Sequence, residues 1–558
     1  MNAKKIIAFF VAIVFLLLFV ISIDPSIDWT DDKLKLIANV LPVVSAFGLI
    51  VGFTRRLLLS TLLTTAFCLL LFNIHTLKLE HLDQPLNFAD SFLIWQTLNN
   101  WNLLSLYAPK WLAPISIVSI VLVSWFFYIE KPMCFRLSIP IGFIALTSLL
   151  ALGFESYSPA TLYGPYAHGA KPWESNDIAN KQGLIASLAS GARSIRFTLP
   201  EYDQSLIDDF LLNQSNVPTD NKAQMRPDII FWLAESFFDP GIIEEVETCD
   251  YLPTFCNVRN NSLQSSLQVP TFGGNTTRTE FEVLTGVPFM SLGTENYPYL
   301  SVVHDKISSI PWSLKSLGYQ NTVIHPNRDG MWQRDRAMPL LGFDDFISRK
   351  HFIRPETDGV WPSDAELSRR VIQELQSDEV PQFILAISME GHGPFPKRNV
   401  LDTQRRDSIE PPFAMGDKSV TEWREYIYHA ENASKAISEL KHFVEQRTRP
   451  TLVVFFGDHL PSLPNVFREV KFSNGQSAPQ QKTPAFAFSN YPMKVEWVPK
   501  ASHELGVWAL ELAGLVMRTN FKDLDRALQT RQQKGESKEL SDVLRALQIK
   551  GLYRSVDD

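Results

Sequence analysis

Residues 229–235 read Ile229-Ile230-Phe231-Trp232-Leu233-Ala234-Glu235, six apolar residues closed by an acid. A short run of this kind, rich in β-branched and aromatic side chains, fits a strand buried on both faces. The pattern returns further along the chain. Thr322-Val323-Ile324 runs into His325, and Phe383 to Ser388 into Met389-Glu390-Gly391-His392. Leu452 to Phe456 runs into Gly457-Asp458-His459, and Ala485 to Phe488 adds one more apolar run. Between these lie stretches of helical period, Ser313 to Leu317, Asp364 to Leu375 and Trp423 to Val444. Strands alternating with helices predict an α/β domain on a largely parallel sheet. Ligands of such sheets bind beyond the carboxyl ends of the strands, so the acids and histidines after four of the strands should converge.

Upstream the composition changes. Five apolar stretches, Ile6 to Ile23, Leu36 to Phe53, Leu57 to Leu77, Trp111 to Ile129 and Leu137 to Phe154, each approach the ~20 residues that cross a bilayer. A cleaved leader could account only for the first, and no small-residue cleavage site follows it. Lys4, Lys5, Arg55, Arg56, Lys131 and Arg136 lie at the amino terminus and in alternate short loops, whereas the intervening loops lean acidic. The positive-inside rule then puts the amino terminus in the cytoplasm and everything after the fifth span outside it. The expected organisation is a five-helix membrane domain (1–154), a connector (155–226), a catalytic domain (227–521) and a charged helical tail (522–558) read as a solvated appendage. A net charge of −8 argues against nucleic acid as a partner. Cys249 and Cys256, with six residues between them in the exported part, are expected to form a local disulfide, while Cys68 and Cys134 have no need to be oxidised.

Two carboxylates with an adjacent histidine suit a divalent cation, and Asp458-His459 with a second strand-end acid could supply that set. A nucleophile is expected in Asn275-Thr276-Thr277-Arg278-Thr279-Glu280-Phe281, where a glycine-bearing turn opens a helix. Thr277 with Glu280 fits a capping box, an ordinary explanation for hydroxyls at this place. The same helix terminus would also favour an anion, and a metal-bound threonine there would ionise more readily.

The five spans, Leu-Ala-Glu-Ser-Phe-Phe-Asp-Pro at 233–240, Asn-Thr-Thr-Arg-Thr-Glu-Phe-Glu-Val-Leu-Thr-Gly at 275–286 and Phe-Phe-Gly-Asp-His-Leu-Pro at 455–461 together resemble the lipoteichoic acid synthase and phosphoglycerol transferase group. That group has a sulfatase and alkaline-phosphatase-like fold. The resemblance implies one Mn²⁺ or Mg²⁺ ion, rather than Zn²⁺, on Glu235, Thr276, Asp458 and His459. It makes Thr276 the nucleophile, with Thr277 and Thr279 as close rivals. It casts Trp332 as packing on the head group, Arg334 and His392 as phosphate partners, and His325 as a residue near the pocket. The implied reaction moves phosphoglycerol from phosphatidylglycerol to an envelope glycan or glycerol-phosphate acceptor through a phosphothreonine-type intermediate. A cysteine pair suits an oxidising periplasm beyond a bacterial inner membrane, and so a transferase decorating a glycan. The two-zinc histidine pattern of phosphoethanolamine transferases is not evident, which ranks that activity second. The same motifs would also serve a tethered phosphodiesterase or a sulfatase-like hydrolase, or persist in an inactive scaffold. The exported cysteines lack the context from which a formylglycine sulfatase is made.

Overall fold

A computed structural model describes residues 3–27, 32–99, 112–152, 160–164, 167–169, 175–192, 199–213, 225–292, 297–376, 380–515, 517 and 519–553. The chain divides into two compact units, Met1–Phe197 and Thr198–Asp558.

In the first unit, helices Ala3–Ile23, Lys33–Thr54, Leu57–Leu82 and Phe135–Leu152 are long and apolar enough to cross a membrane. The fifth expected span is met by a shorter apolar helix, Leu112–Ile129. These helices expose rings and branched chains such as Phe10, Ile120 and Phe143, the surface that lipid would cover. Part of the expected connector belongs to this unit. Tyr163 Oη donates to the Ala38 carbonyl (2.9 Å), Asn39 Nδ2 to the Gln182 carbonyl (2.7 Å) and the Leu184 amide to Asp24 Oδ2 (2.9 Å). Leu184 and Ile185 complete the same apolar core as Val43 and Phe47.

The second unit is built on strands β1 (Asp228–Ala234), β2 (Leu263–Leu267), β3 (Gln320–Ile324), β4 (Asp345–Ile347), β7 (Gln382–Ile387), β8 (Thr451–Gly457) and β9 (Thr483–Ser489), with a separate ribbon of β5 (Thr357–Asp358) and β6 (Trp361–Pro362). The sheet order is β2-β9-β8-β1-β7-β3-β4. Five strands, β8 to β4, are parallel, and β9 and β2 pair antiparallel at one edge. The sheet is therefore mixed, with a parallel centre as the apolar runs predict. β2 escaped the reading because its sequence, Leu-Gln-Ser-Ser-Leu, is a half-exposed edge with few apolar residues. All seven residues of β1 are buried. Ile230, Trp232 and Ala234 share one core with Trp423, Ile427 and Leu440 of helix Asp417–Gln446. Phe231, of opposite parity, meets Phe383 edge-to-face at 5.2 Å. Register pairs Ala234 with Gly457 and Leu233 with Ile387, so the parallel strands end together and the residues after them open on one edge.

The tail corrects its expectation of a solvated appendage. Helix Thr519–Lys534 buries Phe521, Leu524, Ala527 and Leu528, an apolar stripe hidden among charges, and helix Lys538–Tyr553 packs on helix Gln204–Leu212. Cys249 and Cys256 are joined as a disulfide.

Candidate functional site

The first residues past β1 and β8 are Glu235 and Asp458, and their register makes them neighbours. Ser236 follows Glu235 with φ 56, a left-handed conformation that non-glycine residues hold only when their surroundings fix it. Its amide donates to Asp458 Oδ1 at 2.8 Å, and its hydroxyl to Glu235 Oε1 at 2.9 Å. The His459 amide donates to the same Asp458 Oδ1 at 2.9 Å, so one carboxylate oxygen is committed to the backbone. The other, Oδ2, is buried without a partner. His459 shares its Nδ1 with the Leu460 carbonyl at 2.9 Å, which fixes the tautomer that presents a bare Nε2. That Nε2 is also buried and unpartnered, 3.2 Å from Asp458 Oδ2 and 3.6 Å from Glu235 Oε1.

Two carboxylates and an imidazole lone pair thus face one point, with ligand atoms within 4.8 Å of one another. Burial, and then Glu235 beside it, push the Asp458 carboxyl well above the usual carboxylate range, and burial pushes the His459 imidazole down. Both effects are the cost of gathering lone pairs in a dry place without a cation. A divalent ion fits the donor set, whose mixed oxygen and nitrogen character does not choose among Mn²⁺, Mg²⁺ and Zn²⁺.

Thr276 is the first residue of helix Thr276–Thr285, and its Oγ1 donates to Glu235 Oε2 at 3.2 Å. The residue before the helix is Asn275, in the left-handed region at φ 63 and with no side-chain cap bond. The capping box expected of Thr277 with Glu280 is therefore absent. Thr277 lies inside the first turn, and Glu280 turns to other partners. Thr279 donates to the Asp458 carbonyl at 2.8 Å, which ties the helix to the end of β8. At the helix start, amides without intrahelical partners and the positive dipole end favour a negative group beside Thr276.

The other expected residues take different places. Arg334 is a buried and paired cation. It is buried against Glu280, with Nε 3.1 Å from Oε2 and Nη2 on Oε1. Tyr299 Oη donates to the same Glu280 Oε2 at 3.1 Å. Burial works against the Arg334 charge, but Glu280 more than compensates and its pKa is raised. His325 places Nδ1 3.1 Å from the Ile387 carbonyl, and burial with the nearby Arg334 and His392 holds it well below the usual histidine range. His392 contacts the Gly393 carbonyl through Nδ1 at 2.7 Å and lies 5.5 Å, ring to ring, from Trp361. Trp332 is half-buried beside Tyr297, with ring centroids 5.0 Å apart. Glu390, which follows β7, does not join the metal-type cluster. It bonds His429 (2.8 Å), Asn432 (2.6 Å) and the Asp364 amide (2.8 Å) in a separate buried network. Its neighbour Gly391 lies so close to Glu235 that a Cβ would sit 2.4 Å from the Glu235 carbonyl oxygen.

Two carboxylates, a histidine and a threonine at a helix start are thus gathered at the strand ends of an α/β domain. The chain belongs to the sulfatase family of enzymes, whose model matches residues 227–505, half of its length. It is 28% identical over 285 residues to a putative cyclic beta-1,2-glucan modification protein of Rhizobium meliloti (strain 1021), covering 49% of this chain and 43% of that one. It is 33% identical over 244 residues to the capsular polysaccharide biosynthesis protein RkpI of the same strain, covering 42% of each. The chain thus spans less than half the length of these curated relatives. Among solved structures it resembles the Streptococcus pyogenes phosphoglycerol transferase GacH in complex with sn-glycerol-1-phosphate, at 19% identity and TM-score 0.49, over 62% of this chain and 89% of that one.

Proposed function

We propose that the protein is a membrane-anchored, metal-dependent phosphotransferase that moves phosphoglycerol from phosphatidylglycerol to an envelope glycan, with Thr276 as nucleophile. The observation that carries the reading is the Thr276 hydroxyl, 3.2 Å from Glu235, at a helix start beside two buried, unpartnered ligand atoms. A cation held by Glu235, Thr276, Asp458 and His459 would polarise a phosphoryl oxygen and lower the threonine's pKa.

Thr276 Oγ1 attacks the phosphorus, the bond to the diacylglycerol oxygen breaks, and diacylglycerol leaves with a proton. A glycan hydroxyl then attacks the phosphothreonine, the Thr276 oxygen leaves, and the acceptor's proton returns to it. Arg334 and His392 offset the charge that builds on the equatorial oxygens. His325, kept neutral, lends the pocket no competing cation. Trp332 packs on the glycerol. The apolar helices hold the second unit near its lipid donor, on the periplasmic side by the basic-residue pattern. Two relatives named for glucan modification and capsular polysaccharide biosynthesis favour a glycan acceptor.

The test is full-length protein with phosphatidylglycerol labelled in its head group, with Mn²⁺ or with chelator, and the Thr276→Ala variant alongside. Metal-dependent diacylglycerol release and label on the Thr276 peptide, both lost in the variant, are expected. Release that persists in Thr276→Ala moves the nucleophile to Thr277 or Thr279. No release from phosphatidylglycerol, with release from phosphatidylethanolamine, replaces the donor.

A further inference from the structure

Thr276 and Glu280 are one helical turn apart and share a face of helix Thr276–Thr285. The first reaches Glu235, and the second reaches Arg334. Glu280 is 1% exposed and Arg334 is 2%. The carboxylate takes the Nε and Nη2 side of the guanidinium, the fork that a free arginine would offer to a phosphate. No hydrogen bond among the described residues uses Nη1. Arg334 follows two residues in left-handed conformation, Trp332 (φ 60) and Gln333 (φ 56), a strained turn just before its helix begins. Held by Glu280 one turn beyond Thr276, the guanidinium lies along the helix face that meets the candidate metal cluster. A buried ion pair is a poor device for stability alone, because apolar residues of the same volume serve as well.

We propose that Glu280 is a positioning residue. It grips Arg334 along its Nε–Nη2 edge and so directs Nη1 at the phosphate that Thr276 attacks, an inference that rests on the phosphotransferase reading above. The nucleophile and the arginine are then set by one helix and move together. Tyr299 fixes the carboxylate in turn through its bond to Oε2.

The experiment compares wild type, Glu280→Gln, Glu280→Asp, Tyr299→Phe, Arg334→Lys and the Glu280→Gln/Arg334→Lys double variant as full-length protein in nanodiscs with phosphatidylglycerol. Glu280→Gln keeps the shape but loses the charge, and a misaimed arginine is expected to cost kcat ~100-fold with KM little changed. Glu280→Asp keeps the charge and should recover part of kcat. The double variant should be no slower than Arg334→Lys alone, since the glutamate acts only through the arginine. Mn²⁺ binding of Glu280→Gln should stay close to wild type, while its melting temperature falls because the buried Arg334 charge loses its counter-charge, so rates are compared below that melting temperature. If that variant does not fold, Tyr299→Phe, expected to lose kcat more mildly, decides in its place. Wild-type rates in the glutamine variant, or losses that multiply in the double variant, overturn the proposal. If wild type releases no diacylglycerol, the functional reading fails. Calorimetry with glycerol phosphate then judges the pairing separately, and equal affinity in wild type and Glu280→Gln overturns it.

Discussion

Asp458 and His459 each present one buried lone pair that no hydrogen bond uses, and the price of that arrangement is visible in the raised carboxyl and lowered imidazole pKa values. A ligand that binds only the folded protein stabilises it by ~2.7 kcal/mol at 100 times its Kd. Mn²⁺ at that excess should therefore raise the melting temperature of the wild type, and in Asp458→Asn the rise should vanish. Scanning fluorimetry with and without chelator measures this. An equal rise in the variant would place the ion elsewhere. At this scale the sequence was informative where chemistry is adjacent in the chain, as in Asp458-His459. It was misleading where one residue type has two uses: Glu280 fits a capping box on spacing alone, and only three-dimensional packing gives it Arg334. Glu390 follows a strand as Glu235 does, yet faces His429, because strand-end position fixes a neighbourhood and not a side-chain direction.

Between elements, the strand ends were legible because continuous apolar runs can only be buried strands or buried helices, and length separates the two. The edge strand β2 and the small ribbon β5–β6 were not, since pairing rather than composition makes them strands. In the membrane unit the readable signal was hydropathy, and the packing lies in small residues. Gly48 and Gly52 of helix Lys33–Thr54 form a Gly-x-x-x-Gly face against Ala145 and Gly142 of helix Phe135–Leu152. A Cβ on Gly52 would lie 2.6 Å from the Gly142 Cα. Such contact lets two backbones meet where lipid offers no hydrophobic drive. Gly52→Leu should force the helices apart and cost ~1–3 kcal/mol, the range for overpacking. Its melting temperature in detergent should fall, with Gly52→Ala intermediate; an unchanged value would mean that the two helices part readily. The Cys249–Cys256 disulfide closes a short loop, so its loss through the double serine variant should cost at most ~2–3 kcal/mol, read as a lower denaturant midpoint.

Over the whole molecule, the charged tail proved to be structure because its apolar stripe finds a partner that sequence cannot name. Arg531 bridges both oxygens of Glu504 at 2.6 and 2.7 Å, and Trp497 donates to Asp525 Oδ1 at 2.9 Å. The Tyr553 ring lies tilted against that of Tyr202, centroids 5.2 Å apart, and its hydroxyl donates to the Pro200 carbonyl, closing the second unit on itself. The seam between tail and domain is also acidic. Burial, then Asp525 and Glu496, raise Glu511 to about 8, and burial raises Asp525 to about 6. Neither Glu511 oxygen has a hydrogen-bond donor among the described residues. A carboxyl raised in the folded state holds its proton longer there than in the unfolded chain. The folded protein binds more protons between the ordinary value of 4.5 and about 8, so stability falls as pH rises through that window. Glu511→Gln removes the titration. The variant should match wild type near pH 4.5, where both side chains are neutral, and exceed it at pH 8.5. Discounting for partial solvent exposure, the gain should be about 2–4 °C, what ~1 kcal/mol gives in a large domain. Melting curves of the two proteins across that range decide the matter. Parallel curves would mean that the Glu511 carboxyl is solvated and that the tail is held by its apolar stripe and the Arg531 bridge alone.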